Sequence, residues 1–139
     1  MTTGGCLCSA VRFEVHGPLR GVLFCHCSEC RRWSGGVFAA TAARREDVVV
    51  TGEMHLRWIA SPASESDARR GFCDVCGSSL FWDAPRAATV SIAAGSLDDQ
   101  SALEAIGHVY VSQLPGWHVL PDDGLPRYAR LSGAPTSLT

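Results

Sequence analysis

Seven cysteines stand in three tight clusters: Cys6-Leu7-Cys8, Cys25-His26-Cys27-Ser28-Glu29-Cys30 and Cys73-Asp74-Val75-Cys76. Thiols one or two residues apart on a turn converge on a single ion. Zinc takes four such ligands in a tetrahedron, each Zn–S bond about 2.3 Å long. Three partitions of seven sulfurs are open. The middle cluster borrows Cys6 or Cys76, all seven build one polynuclear cluster, or the outer pairs make four ligands and the middle run makes three. The last keeps sequence neighbours together and is favoured. It predicts Cys6, Cys8, Cys73 and Cys76 around a closed structural zinc, and Cys25, Cys27 and Cys30 around a second, more labile one. A closed zinc holds a fold together, whereas a three-ligand zinc keeps a position for water or substrate.

A disulfide framework fits less well. The cysteine count is odd, and Met1-Thr2-Thr3-Gly4-Gly5 carries no basic region, apolar run or cleavage site of a secretory leader. A cytoplasmic setting is the expectation. A redox C-x-x-C opens a long helix after a strand, but Cys76 runs into Gly77-Ser78-Ser79 and then Leu80-Phe81-Trp82, a turn into a strand.

The second zinc needs a fourth ligand. His26 lies inside the cluster, but in an extended turn its side chain points away from its neighbours' sulfurs. His108 and His118 are remote in sequence and read more simply as packed or hydrogen-bonded histidines. An exogenous thiol, hydroxide or water is therefore expected. Arg31 and Arg32 follow Cys30, and Arg69 and Arg70 precede Cys73. They are candidates to offset a site charge of about −2 for four thiolates or about −1 for three around Zn²⁺.

These ligands need a scaffold. The 139 residues predict one domain over 1–131 with a loose tail over 132–139. A net charge of −2 gives no electrostatic case for a nucleic-acid partner. No apolar run approaches the roughly 20 residues of a membrane span. Oligomeric state is not legible. Val11, Phe13 and Val15 alternate on one strand face, and further strands are expected at 22–24, 38–42, 48–50, 56–59, 80–82, 89–94 and 108–111. Ser28 to Trp33 reads as one helical turn capped by Ser28. No long helix pattern is present.

Gly4-Gly5-Cys6-Leu7-Cys8-Ser9-Ala10-Val11-Arg12-Phe13-Glu14, Cys25-His26-Cys27-Ser28-Glu29-Cys30-Arg31-Arg32 and Phe72-Cys73-Asp74-Val75-Cys76-Gly77-Ser78-Ser79-Leu80 resemble the glutathione-dependent formaldehyde-activating enzyme family, to which centromere protein V also belongs. So do Ala94-Gly95-Ser96-Leu97-Asp98-Asp99 and the segment from His108 to Trp117. The resemblance runs from about Gly4 to Tyr128. It implies a mainly β fold, a β-tent of short antiparallel sheets organised around zinc. It places the structural zinc on Cys6, Cys8, Cys73 and Cys76 and the substrate-facing zinc on Cys25, Cys27 and Cys30. The implied activity is that of a carbon–sulfur lyase, joining a small thiol such as glutathione to formaldehyde or another aldehyde. Glu29 and His26 are then candidates for proton transfer. This chain is shorter than the enzymes that gave the family its name, and no segment that grips glutathione is legible in it. A non-catalytic zinc scaffold, with His108 or another side chain closing the second site, is the alternative. A thiol or metal sensor that loses zinc on oxidation is a third.

Overall fold

Alternation and turn chemistry produce ten short strands, one helix and four single 3₁₀ turns in a computed structural model that describes residues 1–138. The strands are β1 (Thr2–Gly5), β2 (Arg12–Val15), β3 (Val22–Cys25), β4 (Phe38–Arg44), β5 (Val48–Thr51), β6 (Leu56–Ala60), β7 (Arg69–Cys73), β8 (Ser79–Asp83), β9 (Thr89–Ala93) and β10 (Ala105–Val109). The helix α1 spans Ser28–Ser34 between β3 and β4. Thr139, the last residue of the expected tail, lies outside the described residues.

A three-stranded sheet has the order β1-β2-β5, and a seven-stranded sheet has the order β10-β3-β4-β9-β8-β7-β6. Every pairing is antiparallel except β10 with β3, which run parallel. Parallel partners need a long connection, and the chain between β3 and β10 includes most of the large sheet. The last strand of the chain, β10, therefore forms one edge of that sheet.

Val11, Phe13 and Val15 share one buried face, as their alternation predicts. They pack with Leu80, Phe81 and Ile92 of the large sheet, and the Phe13 and Phe81 rings meet edge to face at 5.4 Å. Cys6 and Cys73 belong to the same core. The four-cysteine group thus sits at the edge of the main apolar cluster, where burying Leu and Phe side chains stabilises by roughly 2 kcal/mol each.

The molecule departs from the sequence reading in four places. β1 was not expected, because two of its four residues are glycine. β7 was not expected either, because Arg69-Arg70-Gly71 carries no strand signal. The 108–111 strand is displaced to Ala105–Val109, since Tyr110 takes φ 56° and breaks the extended run. The helix has seven residues rather than one turn, and Cys27, not Ser28, is its N-cap. The Cys27 side chain accepts a hydrogen bond from the Cys30 N–H at 3.3 Å. That leaves Ser28 inside the helix, its N–H donating to the Gln113 side-chain oxygen at 2.8 Å.

Candidate metal centres

Two turns build the four-cysteine group. In the first, Ser9 takes φ 66°, its N–H reaches the Cys6 carbonyl at 3.2 Å, and the Val11 N–H points at Cys6 Sγ at 3.3 Å. In the second, β7 ends at Cys73, and Gly77 with φ 80° returns its N–H to the Cys73 carbonyl at 2.8 Å. Ser78 joins the two: its Oγ accepts from the Leu7 N–H at 2.9 Å and lies 3.2 Å from Cys76 Sγ. These hydrogen bonds from Ser78 lower the Cys76 thiol to about 5, favouring the thiolate.

The four sulfurs lie within 4.8 Å of one another. Cys6 to Cys8 is 3.7 Å and Cys8 to Cys73 is 3.9 Å. A tetrahedron with Zn–S bonds of about 2.3 Å has edges of about 3.8 Å. A disulfide needs about 2.05 Å. The spacing fits a tetrahedral ion, and all seven cysteines are free thiols. Asp74, inside the second turn, accepts from Arg57 and pairs with His55, both at 3.2 Å.

Cys25, Cys27 and Cys30 also lie within 4.8 Å of one another. Cys25 is the last residue of β3, Cys27 caps α1, and Cys30 is buried in the first turn of the helix. Gly35 closes the helix with φ 81°, where a Cβ would be strained. Among the described residues no fourth His, Cys, Asp or Glu joins this group. Without a cation the three thiols divide their protons unequally. Hydrogen bonds from Cys25 and Cys30 pull Cys27 down to about 2. The neighbouring Cys27 and Cys30, with burial behind them, push Cys25 upward. Such crowding is relieved when a cation lets all three ionise, so the donor set fits a soft divalent metal.

Arg70 supplies positive charge from β7. It is 4% exposed, and its two terminal nitrogens lie 3.6 and 3.7 Å from Cys30 Sγ. Its Nε–H donates to Ser61 Oγ at 3.0 Å, and Ser61 in turn donates to Glu29 Oε1 at 3.0 Å. Glu29 Oε1 also accepts from the Ala63 N–H, so this carboxylate anchors the 61–63 loop beside the helix. Arg69 departs from the expected compensation: it pairs with buried Asp83 at 2.9 Å, which Arg45 contacts from the other side at 2.6 Å. Arg32 is exposed, and Arg31 lines a narrow cleft together with His26.

His26 stands outside the ligand group. Its Nε2 lies 2.9 Å from His108 Nδ1, and His108 Nε2 lies 2.8 Å from Asp123 Oδ2. Both nitrogens of His108 are therefore occupied. Burial, with His108 and His118 nearby, lowers His26 to about 4, so its ring is neutral near pH 7. His118 meets His26 edge-on at 5.2 Å and stacks on Trp117. Sequence reasoning missed Asp123, Ser61, Ser78 and Gln113, because each reaches its partner only through the folded chain.

The sequence pattern of the glutathione-dependent formaldehyde-activating enzyme family matches residues 1–113. A Schizosaccharomyces pombe protein named an uncharacterized lyase is 32% identical over 79 residues, which cover 57% of this chain and 55% of the relative. The chain thus spans about half the length of that curated relative. A crystal structure of a Rhodobacter sphaeroides protein has the same fold, with a TM-score of 0.57 and 25% identity, covering 90% of this chain and 98% of the other. The chain belongs to the glutathione-dependent formaldehyde-activating enzyme family.

Proposed function

We propose that this chain is a zinc-dependent carbon–sulfur lyase-type protein, joining a small thiol, glutathione or an analogue, to formaldehyde or another aldehyde. One Zn²⁺ is assigned to the four-cysteine group and one to the three-cysteine group. The observation that carries the reading is their inequality: four sulfurs converge at one place and three at the other, with no further side-chain donor beside the three among the described residues.

In the reaction the thiol sulfur bonds to the aldehyde carbon, the carbonyl π pair moves to oxygen, and the thiol proton ends on that oxygen. RSH and H₂C=O become RS–CH₂–OH with no oxidant or reductant. When bound by three cysteines, zinc supplies Lewis acidity and favours the deprotonated form of a thiol in the position the protein leaves free. The chain's own part is to hold and neutralise. Cys25, Cys27 and Cys30 present the sulfurs from a strand end and a helix start, which fixes their separation. Arg70 adds a buried positive charge at Cys30, which favours the thiolate there. The Cys30 N–H, directed at Cys27 Sγ, does the same for Cys27.

A scaffold without turnover calls for a side chain that closes the second group. His108 is spent on His26 and Asp123, so it does not serve. A reducing, cytoplasmic setting suits seven free thiols. The test is exchange NMR of formaldehyde and glutathione with the zinc-loaded protein. Acceleration of adduct exchange beyond that of a Cys30→Ser variant is expected; equal rates count against catalysis.

A further inference from the structure

Three residues other than glycine take positive φ: Ser9, Asp67 and Tyr110. Ser9 serves the four-cysteine turn, and Asp67 lies in the polar loop before β7. Tyr110, at φ 56° and ψ 37°, is a bulky side chain in the left-handed region, which L residues rarely enter. The bend stops β10 at Val109, whose register partner on β3 is Cys25. Two hydrogen bonds then stitch the segment to the three-cysteine run on either side of Cys27. The Val109 carbonyl accepts from the His26 N–H at 3.1 Å, and the Gln113 side chain accepts from the Ser28 N–H at 2.8 Å. The Gln113 N–H returns to the Tyr110 carbonyl at 3.0 Å and closes the turn. Tyr110 therefore stands, half-buried, in the wall of that group. Burial, and next the charges of Cys25 and Cys27, hold its phenol proton more firmly than usual, so the group is an O–H donor at neutral pH. That hydroxyl makes no hydrogen bond among the described residues.

We propose that the Tyr110 hydroxyl is the hydrogen-bond donor for the oxygen of a ligand whose sulfur occupies the free position of the three-cysteine group. The inference deepens the thiol reading above by naming the residue that meets the aldehyde oxygen, and rests on that reading for the sulfur. As the sulfur bonds to carbon, the carbonyl π pair moves to oxygen. The Tyr110 O–H faces that developing charge and passes it a proton. The phenolate regains one from the proton the thiol has lost, so RSH and H₂C=O become RS–CH₂–OH with nothing left over. A donor that meets charge absent from the free aldehyde acts on the rate more than on aldehyde binding. The strained backbone has a purpose here. The left-handed bend carries the chain across the cluster instead of letting β10 run on past it.

Tyr110→Phe in the full, zinc-loaded protein tests it, since the variant keeps the ring and removes one oxygen. Two small probes read the contact without turnover. Thioacetate carries oxygen and sulfur on one carbon, the connectivity of RS–CH₂–OH, whereas ethanethiol carries sulfur alone. In calorimetric titration the substitution is expected to weaken thioacetate about tenfold and to leave ethanethiol unchanged. In the parent protein the Tyr110 ring resonances are expected to move with thioacetate and to stay in place with ethanethiol. Unchanged thioacetate affinity, an equal loss for both probes, or no binding of either to the parent overturns the proposal. So does tyrosinate absorption that appears with zinc and vanishes in Tyr110→Phe, because the phenol is then a metal ligand and not a donor. Adduct exchange is expected to slow by about 10²-fold in the variant, at unchanged zinc content and melting midpoint. A parent protein that holds thioacetate through Tyr110 yet fails to accelerate adduct exchange sinks the lyase reading alone.

Discussion

Arg70 shows how one side chain decides what a cluster of thiols becomes. A guanidinium with almost no solvent contact is held by Ser61 on one nitrogen and faces Cys30 Sγ with two others. Removing one partner of a buried charged contact costs about 3–5 kcal/mol, because the other is left uncompensated. Arg70→Met is therefore expected to destabilise the zinc-loaded protein by about 3 kcal/mol in urea denaturation and to release the metal of the three-cysteine group first. Arg69→Met, whose partner Asp83 retains Arg45, is expected to cost markedly less. The cysteine groupings were legible in advance because members of each cluster are adjacent in sequence. The identity of the compensating arginine was not. Arg69 and Arg70 look alike along the chain, and only the strand pleat sends one inward to the thiols and the other to Asp83. The Asp123–His108–His26 chain was illegible for a similar reason, since its members lie 15 and 82 residues apart.

At the scale of elements, turns rather than strands place the ligands. Gly52 ends β5 with φ 76°, and a Cβ there would lie 1.9 Å from the Ala10 carbonyl oxygen, in the loop that carries Cys6 and Cys8. Strain and backbone collision add, so Gly52→Ala is expected to cost more than about 2 kcal/mol. A thermal melt followed by circular dichroism checks it, and an unchanged midpoint would contradict the close packing. Asp83 of β8 links β7 to the 45–47 turn through two arginines. Despite its burial, hydrogen bonds from Arg45 and Arg69 hold its carboxyl below the usual 3.8. A depressed native pKa contributes stability that is complete above the unfolded value and is lost as pH falls through the native one. Asp83→Asn should therefore be less stable than the parent by a constant margin from pH 7 to about 5, and the margin should shrink below about pH 4. Urea titrations across that range check the sign. The alternating strands were readable because periodicity reports a buried face. β1 and β7 were not, since glycine and arginine take strand geometry there only through their neighbours' pairing.

Taken whole, the molecule brings its N-terminal turn and the end of β7 together at four sulfurs, across 65 residues between Cys8 and Cys73. An ion held there would contribute its binding affinity as folding energy, because the site is absent from the unfolded chain. Cys8→Ser is expected to lower global stability far more than Cys25→Ser, although Cys8 is the more exposed residue. Thermal denaturation of the two variants decides this, and a larger loss from Cys25→Ser would reverse the assignment of structural and functional roles. The claim on which everything else depends is that seven thiols hold two ions unequally. Elemental analysis during graded chelation tests it directly. Two zinc ions per chain should leave in two separate steps, the first abolished by Cys25→Ser and the second accompanied by loss of the fold. One ion per chain, or two released together, would contradict the account.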